Sequence, residues 1–189
     1  LWSAYSLTHP STSLRAGSQT YTPNVFGVSG AIVLFRKKAI DEIGFLDESF
    51  QSYKEDVDLA FRLNSAGWKS AVLYDAVVYH DRSAAGPKTI DDAAALENKK
   101  KQSEWVKYHS YKNHLMTLYK NEYWQNFLLD FPWILWYELK KLIYFVLFDR
   151  KVLMGLGEIW RMRKELGDKR YDIRDRRKVG WREMRKFIH

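Results

Sequence analysis

Apolar residues fall along this chain in three regimes, and each predicts a different kind of structure. From Val25 to Phe35 they run almost unbroken, interrupted by Gly27, Ser29 and Gly30. Such a run predicts a buried strand entered through a crowded backbone. The next apolar positions recur at helical spacing in two short bursts. One predicts a helix over 36–43 that stops at Gly44. The other predicts a helix from about 55 to 66, burying Val57, Ala60, Phe61 and Leu63 and ending at Gly67. Residues 71–74 and 76–79 are β-prone runs on either side of Asp75, with His80 where the second one ends.

Beyond about position 91 the strand signals cease. Trp105, Tyr108, Tyr111 or Lys112, Leu115 and Leu118 recur every three or four residues, which predicts an amphipathic helix to about Lys120. Residues 127–148 form a third, densely apolar stretch that contains Asp130, Pro132, Glu138, Lys140 and Lys141. Four charges are too many for an ordinary membrane span. A helix lying in the membrane interface fits better, with Trp133, Trp136, Tyr137 and Tyr144 at headgroup depth and the lysines snorkelling. The basic tail around 174–178 predicts a continuing helix. Residues 1–24, rich in Ser and Thr with Pro10, Gly17 and Pro23, read as an irregular lead-in, and the opening Leu1 reads as a cut. Two regions result, 1–90 and 91–189, the second all-helical.

Composition adds three constraints. At 46% hydrophobic and 29% charged residues over 189 positions, the chain can build a core. Without cysteine it has neither disulfides nor thiolate metal sites. Of the net +8, positions 149–189 carry +7, from 14 Lys and Arg against 7 Asp and Glu. That bias calls for an anionic partner. An anionic membrane surface ranks above nucleic acid, because the aromatics that would stack on bases sit apart from the densest charge. A helical cap or a homo-oligomer interface is the structural alternative for the tail.

The candidate chemistry lies between Gly30 and His80. Asp47-Glu48 follow the first predicted helix, and Glu55-Asp56-Val57-Asp58-Leu59 open the second, with Arg62 one turn on. A carboxylate in the first turn of a helix is favoured as an anion by the helix dipole and is held in a fixed direction. Any helix may carry such an acidic turn, and the tripeptide alone reads as no more than that. The order of parts, however, resembles the acceptor-side half of a family 2 glycosyltransferase of the GT-A fold. That resemblance covers residues 25–82. It implies an α/β fold class: the C-terminal part of a Rossmann-like GT-A domain followed by the helical region, with the nucleotide-binding half absent from this sequence.

The resemblance further implies that Asp56 is the general base that deprotonates a sugar hydroxyl, with Glu55 binding acceptor hydroxyls or orienting the base. It places Ser29, Gly30, Asp47 and Glu48 along the acceptor pocket. Leu46 stands where the family has phenylalanine, and Asp47 and Glu48 also read as caps that brace the loop. His80 is implied as one ligand of a divalent metal, Mg2+ or Mn2+, beside a nucleotide-sugar donor. A lone histidine is more often a structural hydrogen bonder, and the Asp-x-Asp motif that would complete such a site is missing; Asp56-Val57-Asp58 belongs to the base helix. His109 and His114 read as ordinary. Gln102-Ser103-Glu104-Trp105 lacks the arginine of processive members, and the tract from Tyr108 to His114 with Tyr119-Lys120-Asn121 is similar to rhamnosyltransferase-like members. The implied function is an inverting, non-processive transfer of a sugar such as rhamnose to a lipid-linked or polysaccharide acceptor in cell-wall or surface glycan assembly. The implied location is the cytoplasmic face of a bacterial or archaeal plasma membrane. The competing reading is a non-catalytic membrane-binding or scaffold module that retains a fold remnant.

Overall fold

A computed structural model describes residues 21–73, 79 and 92–187. Strands β1 (Tyr21–Val25) and β2 (Ser70–Leu73) pair antiparallel, with Tyr21 opposite Leu73 and Val25 opposite Ser70. Asn24, left-handed at φ 58°, absorbs the register shift between Pro23 and Val25. The expected strand at 71–74 is thus β2, while positions 74–78 lie outside the described residues.

The strand expected over 25–35 does not form. Residues 26–36 are turn and coil, and Leu34 is 96% exposed. A strand needs a ladder partner for its backbone groups, and among the described residues the edge that β2 offers is taken by 21–25. Phe35 does reach the interior, packing on Ile43, Leu59 and Ala66.

Helix α1 (Lys37–Ile43) ends as expected at Gly44, whose φ of 80° lies where a side chain is disfavoured. Helix α2 (Glu55–Ser65) carries its acidic first turn and stops before Gly67, φ 85°. The helical region comprises α3 (Asp92–Lys101), α4 (Glu104–Asn121), α5 (Trp124–Phe148), α6 (Met154–Arg161), α7 (Arg163–Asp175) and α8 (Trp181–Arg185). Ser103 caps α4 by accepting the Val106 N–H. Helix α4 is the hub on which α2, α6 and α7 pack. Helix α8 folds back to place Met184 among Val57, Phe61 and Tyr123.

Two expectations about charge are corrected. The basic tail is a set of three helices where one was expected, and several of its cations pair with groups of the same chain. Lys178 pairs with Glu42 at 2.5 Å, Lys169 with Asp47 at 2.7 Å and Arg185 with Asp130 at 2.8 Å. Arg170 and Arg177 donate to carbonyls of Tyr119, Glu122 and Asn121, covering the end of α4 where the dipole is negative. Nor does Lys141 snorkel: it is mostly covered and turned inward, 3.0 Å from Glu138, which also binds His114 at 2.9 Å. Burial, aided by the Lys141 charge, lowers His114 to about 4, so it is neutral at ordinary pH and donates to the carboxylate.

The opposite side of α5 is apolar and open. Trp124, Leu128, Phe131, Leu135, Leu139, Leu142 and Val146, spaced by three and four, form one exposed stripe. Among the described residues no helix is long and apolar enough to cross a membrane.

Glu122, at the end of α4, gives a pH prediction. Burial pushes its carboxyl up to about 7, against the Tyr123 N–H bond that works to lower it. Because the folded state holds this proton more tightly than the unfolded chain, stability falls as pH rises from about 4.5 to 7, by up to about 3 kcal/mol. In urea titrations, Glu122→Gln should match the parent at pH 4.5 and exceed it at pH 8. A parent-like slope in the variant would assign the pH dependence elsewhere.

Candidate active site

The first turn of α2 is presented by an unusual backbone. Gln51 has φ 58° and ψ −55°, and the Ser52 N–H reaches the Phe50 carbonyl at 2.6 Å. This is a γ-turn of the rare positive-φ kind. Tyr53 and Lys54 follow at φ 69° and 72°. Three left-handed non-glycine residues within four positions cost about 1–3 kcal/mol each and cluster at working sites.

Asp56, immediately beyond, is partly exposed. One carboxylate oxygen accepts the Val57 N–H at 2.8 Å and the other the Gly30 N–H at 3.3 Å. Among the described residues it has no ion pair, in contrast to Asp47 and Asp58. A β-carbon at Gly30 would stand 3.6 Å from the Asp56 Cβ and 4.0 Å from its Oδ2, so a larger side chain there would crowd the carboxylate. The coil that failed to become a strand therefore serves as the wall opposite Asp56. Ser29 is exposed on it, its Oγ accepting the Ala31 N–H.

Glu55 lies against Asp56 with a buried Oε2 that has no hydrogen-bond partner. Burial raises its pKa, and the neighbouring Asp56 charge adds to the rise. Lys54 is lowered by burial and raised in part by the Asp56 charge.

Asp47 and Asp58 are bound to the scaffold. Asp47 caps the short 3-10 turn Glu48–Phe50 through the Ser49 N–H at 3.0 Å and pairs with Lys120 at 2.6 Å and Lys169 at 2.7 Å. Burial works to raise its pKa, yet these hydrogen bonds hold it well below the usual carboxylate range. Asp58, fully buried, binds Arg62 at 2.8 Å, Asn121 at 2.7 Å and Lys120 at 2.8 Å. Arg62 also donates to the carbonyls of Ile43, Gly44 and Phe45, fixing the loop before Asp47. Glu48 is exposed. It helps line a cavity of about 460 Å³ between the 43–49 loop and α7, which neither Glu55 nor Asp56 borders.

His80 lies outside the described residues. Among the described residues no group of three or more His, Asp or Glu is placed to hold a metal ion, so no step below is routed through one. Lys112, Asn113, Lys120 and Asn121, which the sequence offers only as part of a family-like tract without a role, reach from α4 to the loop before Asp56 and to Asp58 within α2. Their signal was a repeated Lys-Asn pair eight residues apart on one helix.

Asp56 thus stands at the start of α2, faced by the Gly30 backbone and, among the described residues, without an ion pair. A family model, glycosyl transferase family group 2, matches residues 5–155, and the chain belongs to that family. It is similar to the N-acetylglucosaminyl-diphospho-decaprenol L-rhamnosyltransferase of Mycobacterium tuberculosis, strains CDC 1551 / Oshkosh and ATCC 25618 / H37Rv. The match is 41% identical over 56 residues, 30% of this chain and 18% of the relative. It is also similar to the O-antigen biosynthesis protein RfbC of Myxococcus xanthus, 32% identical over 69 residues, 36% of this chain and 5% of that protein. The match thus spans less than a fifth of each relative's length. No solved structure matches the chain. Family membership points to a GT-A architecture; the described residues, mostly helical with one two-stranded sheet, do not themselves build its parallel sheet.

Proposed function

We propose that the protein transfers a single sugar, with inversion, from a nucleotide sugar to a lipid-linked acceptor in surface glycan assembly, and that the sugar is L-rhamnose. The observation that carries this reading is the state of Asp56: of the three aspartates around the loop, Asp47, Asp56 and Asp58, it is the one that is partly exposed at the start of α2 and has no ion pair among the described residues. In the reaction the acceptor hydroxyl oxygen forms the new bond to the anomeric carbon while the bond from that carbon to the diphosphate oxygen breaks. The hydroxyl proton passes to Asp56 and the nucleoside diphosphate leaves with the bonding pair. Glu55, its Oε2 buried beside Asp56, serves to orient the base. Gly30 and Ser29 form the facing wall, and Glu48 is free to contact a longer glycan. Asp47 acts as the brace that its two lysines make it.

The relatives' names support the sugar and the polyprenyl diphosphate acceptor; the open apolar stripe of α5 supports attachment to a membrane and the basic excess of the tail an anionic one, on the cytoplasmic face where nucleotide sugars are found. The test is transfer by the full-length protein from a panel of labelled nucleotide sugars to N-acetylglucosaminyl-diphospho-polyprenol in anionic vesicles. One labelled rhamnose per acceptor, with the protein co-sedimenting with the vesicles, is expected. Vesicle binding without transfer from any donor would favour a non-catalytic membrane module. A stable dimer that ignores vesicles would give the stripe to a second copy.

A further inference from the structure

We propose that Asn113, on α4, is the positioning residue for the base: it holds the left-handed loop 50–54 in the conformation that aims Asp56. The inference rests on the reading of Asp56 as base. It adds that the helical region sets catalysis instead of merely covering the catalytic unit.

Asn113 is fully buried. Its Nδ2 lies 2.8 Å from the Phe50 carbonyl, 2.7 Å from that of Ser52 and 2.8 Å from that of Tyr53. One amide nitrogen thus gathers three carbonyls that a γ-turn and two left-handed residues have turned toward the same point. A chain of L-residues leaves that conformation unless its surroundings over-determine it. The neighbouring contacts hold the loop's beginning and the helix's interior instead: Lys112 donates to the Ser49 carbonyl at 3.3 Å, and Asn121 and Lys120 bind Asp58. Asn113 bonds to carbonyls all along the segment whose dihedrals set the start of α2, whereas Trp105 of α4 meets that segment only through the Tyr53 ring. Lys54, the last left-handed residue, is the N-cap of α2, and its carbonyl accepts the Asp58 N–H at 2.9 Å. A change of ψ at 53 or 54 therefore swings the first turn, and with it the Asp56 carboxylate, relative to Gly30. Displacements of about 1 Å at a reacting group cost on the order of 100-fold in rate.

The experiment compares Asn113→Ala and the milder Asn113→Ser with the parent, in the full-length protein, by steady-state kinetics and amide hydrogen exchange. Thr117→Val serves as control: its Oγ1 bonds the Asn113 carbonyl within α4 and is equally buried, but it does not touch the loop. Asn113→Ala should lower kcat by about 10- to 100-fold with donor KM within about twofold, and should accelerate exchange at 51–57. Asn113→Ser should fall between, and is read in the same way where the alanine variant does not fold. Thr117→Val should leave kcat at the parental value. Unchanged exchange at 51–57 overturns the pinning, and faster exchange with parental kcat overturns the link to catalysis. Both outcomes differ from failure of the base assignment, which is read from substitution of Asp56 itself while exchange in Asn113→Ala still rises.

Discussion

Replacing Asp56 by asparagine should reduce sugar transfer by about 10²- to 10⁴-fold, the range that a positioned proton acceptor contributes, while leaving the fold in place. The two effects separate because of how the carboxylate is held. Asn keeps an oxygen for the Val57 N–H at 2.8 Å and loses only the long contact to the Gly30 N–H at 3.3 Å. That loss is worth at most about 1 kcal/mol. No ion pair is broken among the described residues, although Lys54, whose charge burial disfavours, loses the support of the Asp56 charge. The measurement is kcat alongside a thermal midpoint. A variant that turns over at near-parental rate would remove Asp56 from the mechanism, and one that unfolds would show its role to be structural. Glu55→Gln should act differently, lowering kcat by less than Asp56→Asn and leaving acceptor KM near the parental value, because its buried oxygen stands beside the base and takes no proton from the acceptor.

The second large effect concerns Lys120. The residue is 1% exposed, and its ammonium lies between Asp47, in the loop after α1, and Asp58, in α2, while Lys120 itself belongs to α4. Lys120→Met preserves most of the stem packing and leaves two buried carboxylates short of a cation. Removing one member of a buried pair costs about 3–5 kcal/mol. The lower end is expected, because Lys169 still serves Asp47, and Arg62 and Asn121 still serve Asp58. Urea unfolding at pH 7 is the measurement, and a loss below about 0.5 kcal/mol would mean that the pairs contribute no net stability. The acid limb gives a second readout. Asp47 is depressed in the folded state, so its contribution is present above the usual aspartate range near 3.8 and is lost as pH falls below it. With one of its two lysines gone, that loss should shrink in the variant.

The comparison of sequence and structure is sharpest on α4. The apolar spacing from Trp105 to Leu118 foretold the helix and its length within a residue or two, yet not its buried face. Trp105 is half exposed, while Lys112, Asn113, Thr117, Lys120 and Asn121 are buried. Periodicity assigns polar residues to solvent because burying one alone is costly. It cannot see that the carbonyls of 49–53 and the carboxylates of Asp47 and Asp58 wait about sixty residues away to satisfy them. The run at 30–35 erred in the same manner: its composition favoured a strand, but a strand also requires a free edge to pair with.

By itself the sequence determined the helices α1 and α2 with their glycine stops, the acidic turn that holds Glu55 and Asp56, the long helices after position 100, and the family. These depend on neighbours within a few positions, through dihedral preference, capping and motif spacing. The tertiary structure decided which of three aspartates is without an ion pair among the described residues. Asp47, Asp56 and Asp58 are chemically alike in the sequence, and only the placement of Lys120, Lys169 and Arg62 binds two of them and leaves the third facing Gly30. Charge pairing acts through space over a few ångströms, and that proximity is created by packing α4 and α7 against the loop, not by the order of residues along the chain.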